Sequence, residues 1–413
     1  MLARWLSSVA LAAVMLGVVG CGGVTASDVA ETTAGQLTVY SSLPLQGQTA
    51  AIAQQIEGGE KLALADAGGR AGPFKIAFES LDDASPTTGQ WNAQVTSTNA
   101  KIAAQDTSTI AYIGDFDSAA TAISLPLING AGILQISPAS PYVGLTSSSD
   151  AGQDEPYRFY PSGERTFARL QPGDIAQADA QVQLMRSLGV HSVYVLDDED
   201  PFEVPLANIV VGDAEKAGIS VLAHDSIATG AEATFTSEVE KIAQSGAQAV
   251  FLAGGEGKGT VALWRALNAA VPNALLFGSA TSVGESFASE IGAAAANTYL
   301  LTPVLPISHY PPSARWVLRR YRKVFGSEAS PYALYGYEAM TLVLNAIHAA
   351  GARGNDRQTV IDRVLATRNR NSVIGRYSIE ADGDTTLSDF GVERIAHGRA
   401  VFYRAIHVEP GEG

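Results

Sequence analysis

Val39-Tyr40-Ser41-Ser42-Leu43-Pro44-Leu45-Gln46-Gly47 is an apolar run of strand length that breaks into a turn carrying proline and glycine. Gly59-Glu60-Lys61-Leu62-Ala63-Leu64-Ala65-Asp66-Ala67 reads as helix, the end of a stretch over 49–67, and Gly68-Gly69 stops it. Glycine past the last turn accepts the left-handed backbone that ends a helix. Working outward, apolar runs recur near residues 37–40, 75–79, 110–114, 133–136, 192–196, 220–223, 249–252, 275–277 and 298–301, with amphipathic stretches between them. That alternation predicts an α/β fold with parallel sheets flanked by helices on both faces. The stretch 87–105 after Ser85-Pro86 reads as one such helix. A second series starts near Asp174, after a polar loop over 147–156, so two similar sheets in tandem are expected. The last third departs from the alternation, with helices expected over 314–325, 334–350 and 357–366 and strands over 376–379 and 392–407. Arg315, Arg319, Arg320, Arg322 and Lys323 cluster on the first of these helices, where a solvated face is the simpler reading than a docking surface.

The first twenty residues carry one charge, Arg4, followed by an apolar stretch over 6–20 too short to span a bilayer comfortably. This reads as a signal peptide. It ends in Val18-Val19-Gly20-Cys21, similar to the lipobox of bacterial lipoproteins, and Cys21 is the only cysteine of the 413-residue chain. Cys21 is therefore expected to carry a lipid, with 21–35, rich in Thr, Ala, Ser, Glu and Gly, as its tether. A chain cut before Cys21 keeps 26 basic against 42 acidic side chains, a formal charge of −16, which makes nucleic acid and anionic lipid surfaces poor partners. No stretch after Cys21 offers eighteen consecutive apolar residues, so the expected membrane attachment is the lipid alone. About 370 remaining residues exceed what one core usually accommodates, and two domains are expected.

Several blocks resemble the type I periplasmic binding proteins of the leucine/isoleucine/valine-binding and amide-binding branch. They are Val39–Gly47, Gly59–Gly69, Asp82-Asp83, Ile113-Gly114-Asp115-Phe116-Asp117-Ser118, Gly132-Ile133-Leu134-Gln135-Ile136-Ser137-Pro138, and Arg169 with Pro172, Asp174 and Gln177. Their order and spacing cover residues 36–408. The resemblance implies two Rossmann-like lobes joined by three crossings, near 157–169, 301–306 and 382–390. Lobe 1 is expected over 36–160 and 303–384, and lobe 2 over 161–302 and 385–408. Both sheets should point their strand C-termini at the cleft, where open α/β sheets bind ligands.

In the strand-turn-helix at 114–121 a helix start presents unpaired N–H groups and partial positive charge, which suits a carboxylate or carbonyl. The resemblance gives Ser118 the ligand carboxylate, with Asp117 and Thr121 beside it; a plain capping role for Ser118 or Asp117 is the alternative. It also implies contacts at Ala139 and Ser140, although Pro141 stands where the amino-acid binders carry a threonine and proline has no N–H to donate. On the second lobe Ala280 stands where those binders carry the acid that pairs with the ligand's ammonium. A buried ammonium without a counter-charge is costly. Either the ligand lacks that ammonium or another acid supplies the pairing, with Glu256 the candidate for it and Phe202 an aromatic contact; the Asp197-Asp198-Glu199-Asp200 run reads otherwise as solvated loop.

The implied function is an exported lipoprotein that captures an amino acid, amide or small carboxylate and hands it to ABC permease subunits. A ligand-sensing receptor of the same fold and a lipid-anchored hydrolase are the rivals. Gly254-Gly255-Glu256-Gly257-Lys258-Gly259-Thr260 is not a phosphate loop, because a glycine follows the lysine where that loop needs serine or threonine. There is no Gly-x-Ser-x-Gly elbow and no His-Glu-x-x-His, and the six histidines are scattered. No enzyme activity, cofactor or metal is expected.

Overall fold

The computed structural model describes residues 35–47, 49–230, 233–255, 257–279 and 286–409. The expected signal peptide, Cys21, Glu256 and Ala280 lie outside the described residues.

The first sheet contains β1 (Gln36–Leu43), β2 (Arg70–Ala71), β3 (Phe74–Asp82), β4 (Thr109–Gly114), β5 (Leu134–Ser137) and β6 (Phe167–Arg169), in the order β2-β3-β1-β4-β5-β6. All neighbours are parallel except the short β2. Strand β6 pairs with β5, so the chain leaves this sheet after Arg169 and not at 160/161. The second sheet contains β7 (Ser192–Asp197), β8 (Ser220–Ser226), β9 (Ala249–Ala253), β10 (Leu275–Ser279) and β11 (Thr298–Thr302). Beyond a two-stranded β12 (Arg370–Asn371) and β13 (Arg376–Tyr377), it is completed by β14 (Asp389–Ala396) and β15 (Arg399–His407), in the order β15-β14-β11-β10-β9-β7-β8. The last two are antiparallel additions. The stretch read as one strand over 392–407 is thus a hairpin, turned at His397 and Gly398 with φ of 52° and 71°. The strand expected over 376–379 shrinks to Arg376–Tyr377, with Ile379 bridging Thr385.

Helices cover both faces: α1 (Ala50–Asp66), α2 (Ala93–Gln105), α3 (Ser118–Gly130), α4 (Asp174–Ser187), α5 (Val204–Lys216), α6 (Thr236–Ser245), α7 (Gly257–Ala270), the single turn α8 (Phe287–Glu290), α9 (Pro312–Phe325), α10 (Tyr332–Ala350) and α11 (Arg357–Leu365). Helix α2 starts at Ala93 and not after Pro86, because Trp91 bridges back to Ala84 and Asn92 caps the helix through Gln94 and Val95 N–H. Parallel strands buried on both faces read as continuous apolar runs, and β4, Thr109–Gly114, is buried throughout.

After β11 the chain returns to the first sheet. Ala314, Val317, Leu318 and Tyr321 of α9 and the buried face of α10 pack with Leu37, Val39, Ile110 and Ile113. Helix α10 lies against α1 backbone to backbone. A Cβ at Gly336 would overlap the carbonyl oxygen of Ile56, and one at Gly59 would overlap that of Ala333. The second lobe is held by clusters around Val193, Val195, Phe251 and Phe277 on one face and Trp264, Leu276 and Phe287 on the other.

The first crossing is fixed by Arg169, 1% exposed. Its Nε lies 2.7 Å from Asp384 Oδ1 on the third crossing, and its Nη1 donates to the carbonyls of Ser140 and Tyr142 at 3.1 and 2.8 Å. Nη2 donates to Thr146 Oγ1. Asp174, at the first turn of α4, accepts from Val143 N at 2.9 Å. One guanidinium thereby ties two inter-lobe segments to the loop after β5.

Candidate functional site

Strand ends of both sheets meet around a cavity of about 150 Å³ lined by Trp91, Phe116, Asp117, Ser118, Ala119, Ala139, Pro141, Gln171, Pro172, Asp200, Phe202, Glu203 and Pro303. From lobe 1 come the turn after β3, the β4–α3 turn and the loop after β5. From lobe 2 comes the loop between β7 and α5, with the crossing residues between the lobes. Tyr142 meets Phe202 edge to face across the gap at 4.9 Å.

At the β4–α3 turn Ser118 is the first helical residue and lines the cavity. Its hydroxyl oxygen accepts from Tyr142 N at 3.3 Å, which leaves the O–H to donate. Asp117 holds the N-cap position with extended backbone, yet its carboxylate makes no capping hydrogen bond to the helix. Capping alone therefore does not account for it. Thr121 and Ser140 are fully buried below the lining, and their hydroxyls meet at 2.6 Å. Ser140 Oγ also lies 3.1 Å from the Asp115 carbonyl oxygen and Thr121 Oγ1 3.2 Å from that of Asp117, so one hydroxyl donates to the other and the second donates to its carbonyl. Buried hydroxyls need partners. These two fasten the turns after β4 and β5 to each other and do not reach the cavity.

On lobe 2 the acidic run is only partly a solvated loop: Glu199 and Asp200 are exposed, whereas Asp197 and Asp198 are not. Asp197 is fully buried, its Oδ2 2.7 Å from His224 Nε2 and accepting from Ser226 Oγ at 2.9 Å. Asp198 accepts from Gly255 N at 2.7 Å and so fixes the turn after β9, while burial pushes its carboxyl up. The run ends with Asp200, Phe202 and Glu203 on the cavity, at the start of α5. Asp200 Oδ1 accepts from Phe202 N at 2.8 Å, a local turn that orients both.

Thus Ser118, Asp117, Ala139 and Phe202 come together, whereas Thr121 and Ser140 stand behind them. Trp91, Gln171, Glu203 and Pro303 were not anticipated. Trp91 falls inside a stretch read as helix, and the other three carry no local signal of their position. Phe116 lies within the motif that marked Ser118. Among the described residues no group of three or more His, Cys, Asp or Glu is placed to hold a metal ion.

Below the floor sit two buried carboxyls. Asp115 accepts from Tyr112 Oη at 2.9 Å and from Ser124 Oγ. Neither carboxylate oxygen of Asp83 has a hydrogen-bond partner. Burial first, then the charges of Asp115, Asp117 and Asp82, hold the Asp83 carboxyl well above the usual carboxylate range. Folded Asp83 therefore keeps a proton that the unfolded chain releases near its ordinary value, and the stability this contributes is lost as pH rises through the folded pKa. Unfolding free energy should fall between about pH 5 and pH 8, and Asp83→Asn should flatten part of that slope. Denaturant titrations at both pH values check it; an unchanged slope in Asp83→Asn would rule the carboxyl out as the source.

A fold of two α/β lobes around a cavity at their strand ends defines a class of proteins that bind a small solute. A family model described as "Periplasmic binding protein" matches residues 39–396, and the chain belongs to this family, with the type I fold. It is accordingly a solute-binding protein and not an enzyme. Among its relatives, an "Amino acid binding protein" of Pseudomonas aeruginosa is 25% identical over 84% of this chain and 87% of that protein. The "Leu/Ile/Val-binding protein homolog 2" of Brucella abortus is 23% identical over 87% and 90%. The solved leucine binding protein LivK of Thermotoga maritima superposes with a TM-score of 0.74 at 19% identity, covering 90% of this chain and 99% of that one. An ABC transporter solute binding protein from R. palustris in complex with benzoate gives 0.70 at 16% identity, covering 91% and 98%. The family is exported, and no helix among the described residues is long and apolar enough to cross a membrane.

Proposed function

We propose that this protein is the extracytoplasmic substrate-binding lipoprotein of an ABC importer, closing its lobes on a small amino-acid-like or amide ligand. The observation that carries the reading is a cavity shared by the strand ends of both lobes, with Ser118 and the start of α3 on one wall and the start of α5 on the other. The relatives named for amino acids support the ligand class, and their transporter neighbours support permease subunits as partners. The ligand's carboxylate or carbonyl accepts from Ser118 and the first amides of α3, and Glu256 is the acid that takes the place of Ala280 toward an ammonium. Closure follows because only the closed form makes both sets of contacts.

A thermal-shift screen of amino acids, amides and short acids tests this. A ligand at a hundredfold excess over its Kd should add about 2.7 kcal/mol of stability. Ser118→Ala should cost that ligand about 1–3 kcal/mol of binding through the lost hydrogen bond. An unweakened Ser118→Ala protein would remove Ser118 from the site.

The lipid on Cys21 is part of the same proposal and rests on the lipobox-like Val18–Cys21 and the lone cysteine. Cys21→Ser should abolish membrane retention in a fractionation experiment; retention of the processed variant would count against the anchor.

A further inference from the structure

Helix α9, Pro312–Phe325, is strongly basic in a chain whose net charge is −15. Its buried face, Ala314, Val317, Leu318 and Tyr321, packs on lobe 1. With about 3.6 residues per turn, the opposite face carries Arg315, Trp316, Arg319, Arg320 and Lys323. Arg320 reaches Asp66 at 2.5 Å, and Arg322 at the edge of this face reaches Glu328 at 2.7 Å. Arg315, Arg319 and Lys323 have no acidic partner among the described residues. Their spacing of four puts three like charges on one stripe, which costs a helix stability unless an opposite charge covers it. The helix C-terminus favours Lys323 but not Arg315 or Arg319, which stand before the last turn. Trp316 lies within the stripe, 45% exposed, with the Arg320 guanidinium 5.8 Å from its ring centroid, and Val324 beside it is exposed as well. An exposed indole among cations suits the headgroup level of a phospholipid surface.

The entry of the chain brings a bilayer within reach of this face. Strand β1 starts at Gln36 and runs parallel to β3 and β4, whose far ends lead into the cavity lining, so the chain enters lobe 1 at the end away from the cavity. Gln36 lines one hollow with Gly68 and Gly69, just past Asp66, the partner of Arg320. Cys21 to Gly35 is fifteen residues, a span of at most about 50 Å. The acidic remainder of the molecule does not prevent contact, because exposed charges more than about 8 Å away are screened at physiological salt.

Resting on the lipid-anchor reading of Cys21, we propose that α9 docks on an anionic phospholipid surface, with Arg315, Arg319 and Lys323 on headgroup phosphates and Trp316 entering among them. The contact is salt-sensitive and too weak to retain the protein without its lipid. It orients an anchored lobe 1.

The lipidated protein, purified whole from membranes and reconstituted on vesicles of phosphatidylcholine alone or with phosphatidylglycerol, tests this through acrylamide quenching of Trp316, read as the difference from Trp316→Phe. Trp316 should be shielded on the anionic vesicles, open on the neutral ones, and open again on the anionic ones at about 0.5 M salt. Arg315→Gln, Arg319→Gln and Lys323→Gln together should lower the ratio of docked to undocked protein at least about tenfold. The comparison of vesicles and salt on the unaltered protein decides even where that variant does not fold. Equal quenching on both vesicles, or shielding that survives in the folded triple variant, overturns the docking and leaves the anchor standing. Shielding by added polyglutamate but not by phosphatidylglycerol assigns the face to an acidic protein and overturns the lipid. Protein that does not stay on neutral vesicles overturns the anchor, and the docking with it.

Discussion

Arg169→Leu should destabilise the protein by about 3–5 kcal/mol, the usual cost of removing one partner from a buried ion pair. The guanidinium is 1% exposed and satisfies four groups at once: Asp384, the carbonyls of Ser140 and Tyr142, and Thr146 Oγ1. Leucine fills much of the volume but donates to none of them. The Ser140 carbonyl is then buried without a donor, the Tyr142 carbonyl keeps only Leu145 N at 3.3 Å, and Asp174 loses the cation that opposes its burial, which already pushes its carboxyl up to about 7. Arg169→Lys should rescue little, because an ammonium is a point charge that cannot fork to the Ser140–Tyr142 carbonyls and Asp384 together. Urea unfolding of both variants is the measurement. A loss below about 1 kcal/mol for leucine would mean that the network contributes no more than an exposed pair. An Asp384→Leu variant and the double variant complete a cycle, and strong non-additivity is expected because the groups touch.

Gly336→Ala should also destabilise, by about 2–3 kcal/mol, although its local effect has the opposite sign. In a solvent-facing helix the change gains roughly 1 kcal/mol of propensity. Here the added methyl would overlap the Ile56 carbonyl oxygen in α1, and the reciprocal contact of Gly59 with the Ala333 carbonyl oxygen prevents the two helices from sliding apart on one side only. The obstacle is backbone on both faces, not a flexible side-chain end. Thermal unfolding monitored by circular dichroism reads the shift, and a stabilised Gly336→Ala protein would mean that α10 moves off α1 at little cost.

Much of the fold was legible because parallel strands buried on both sides announce themselves as apolar runs, as at Ser192–Asp197 and Ala249–Ala253. Strand β6 was not, since Phe167-Ala168-Arg169 is three residues long and ends in the arginine that binds the crossings. The start of α2 was misplaced because Ser85-Pro86 is an ordinary helix opening, while the bridge from Ala84 to Trp91 is a tertiary fact. In the site, Ser118 stood out because strand, turn and helix are contiguous there. Thr121 and Ser140 shared that neighbourhood but face inward, and only the pairing of their hydroxyls shows why. Trp91, Gln171 and Pro303 reach the cavity from three distant segments, which no local pattern encodes.

Every described residue lining the cavity lies outside the β-strands, on turns, crossings or the first turn of a helix. The sheets, the glycine contact between α1 and α10 and the Arg169 network therefore carry stability on residues other than those that line the cavity. Such a division makes the molecule evolvable: strand-end turns tolerate exchange of a side chain or a change of length that a packed strand would not. A lineage built on this scaffold can trade one solute for another through a handful of turn substitutions and keep a folded, exportable protein at each intermediate.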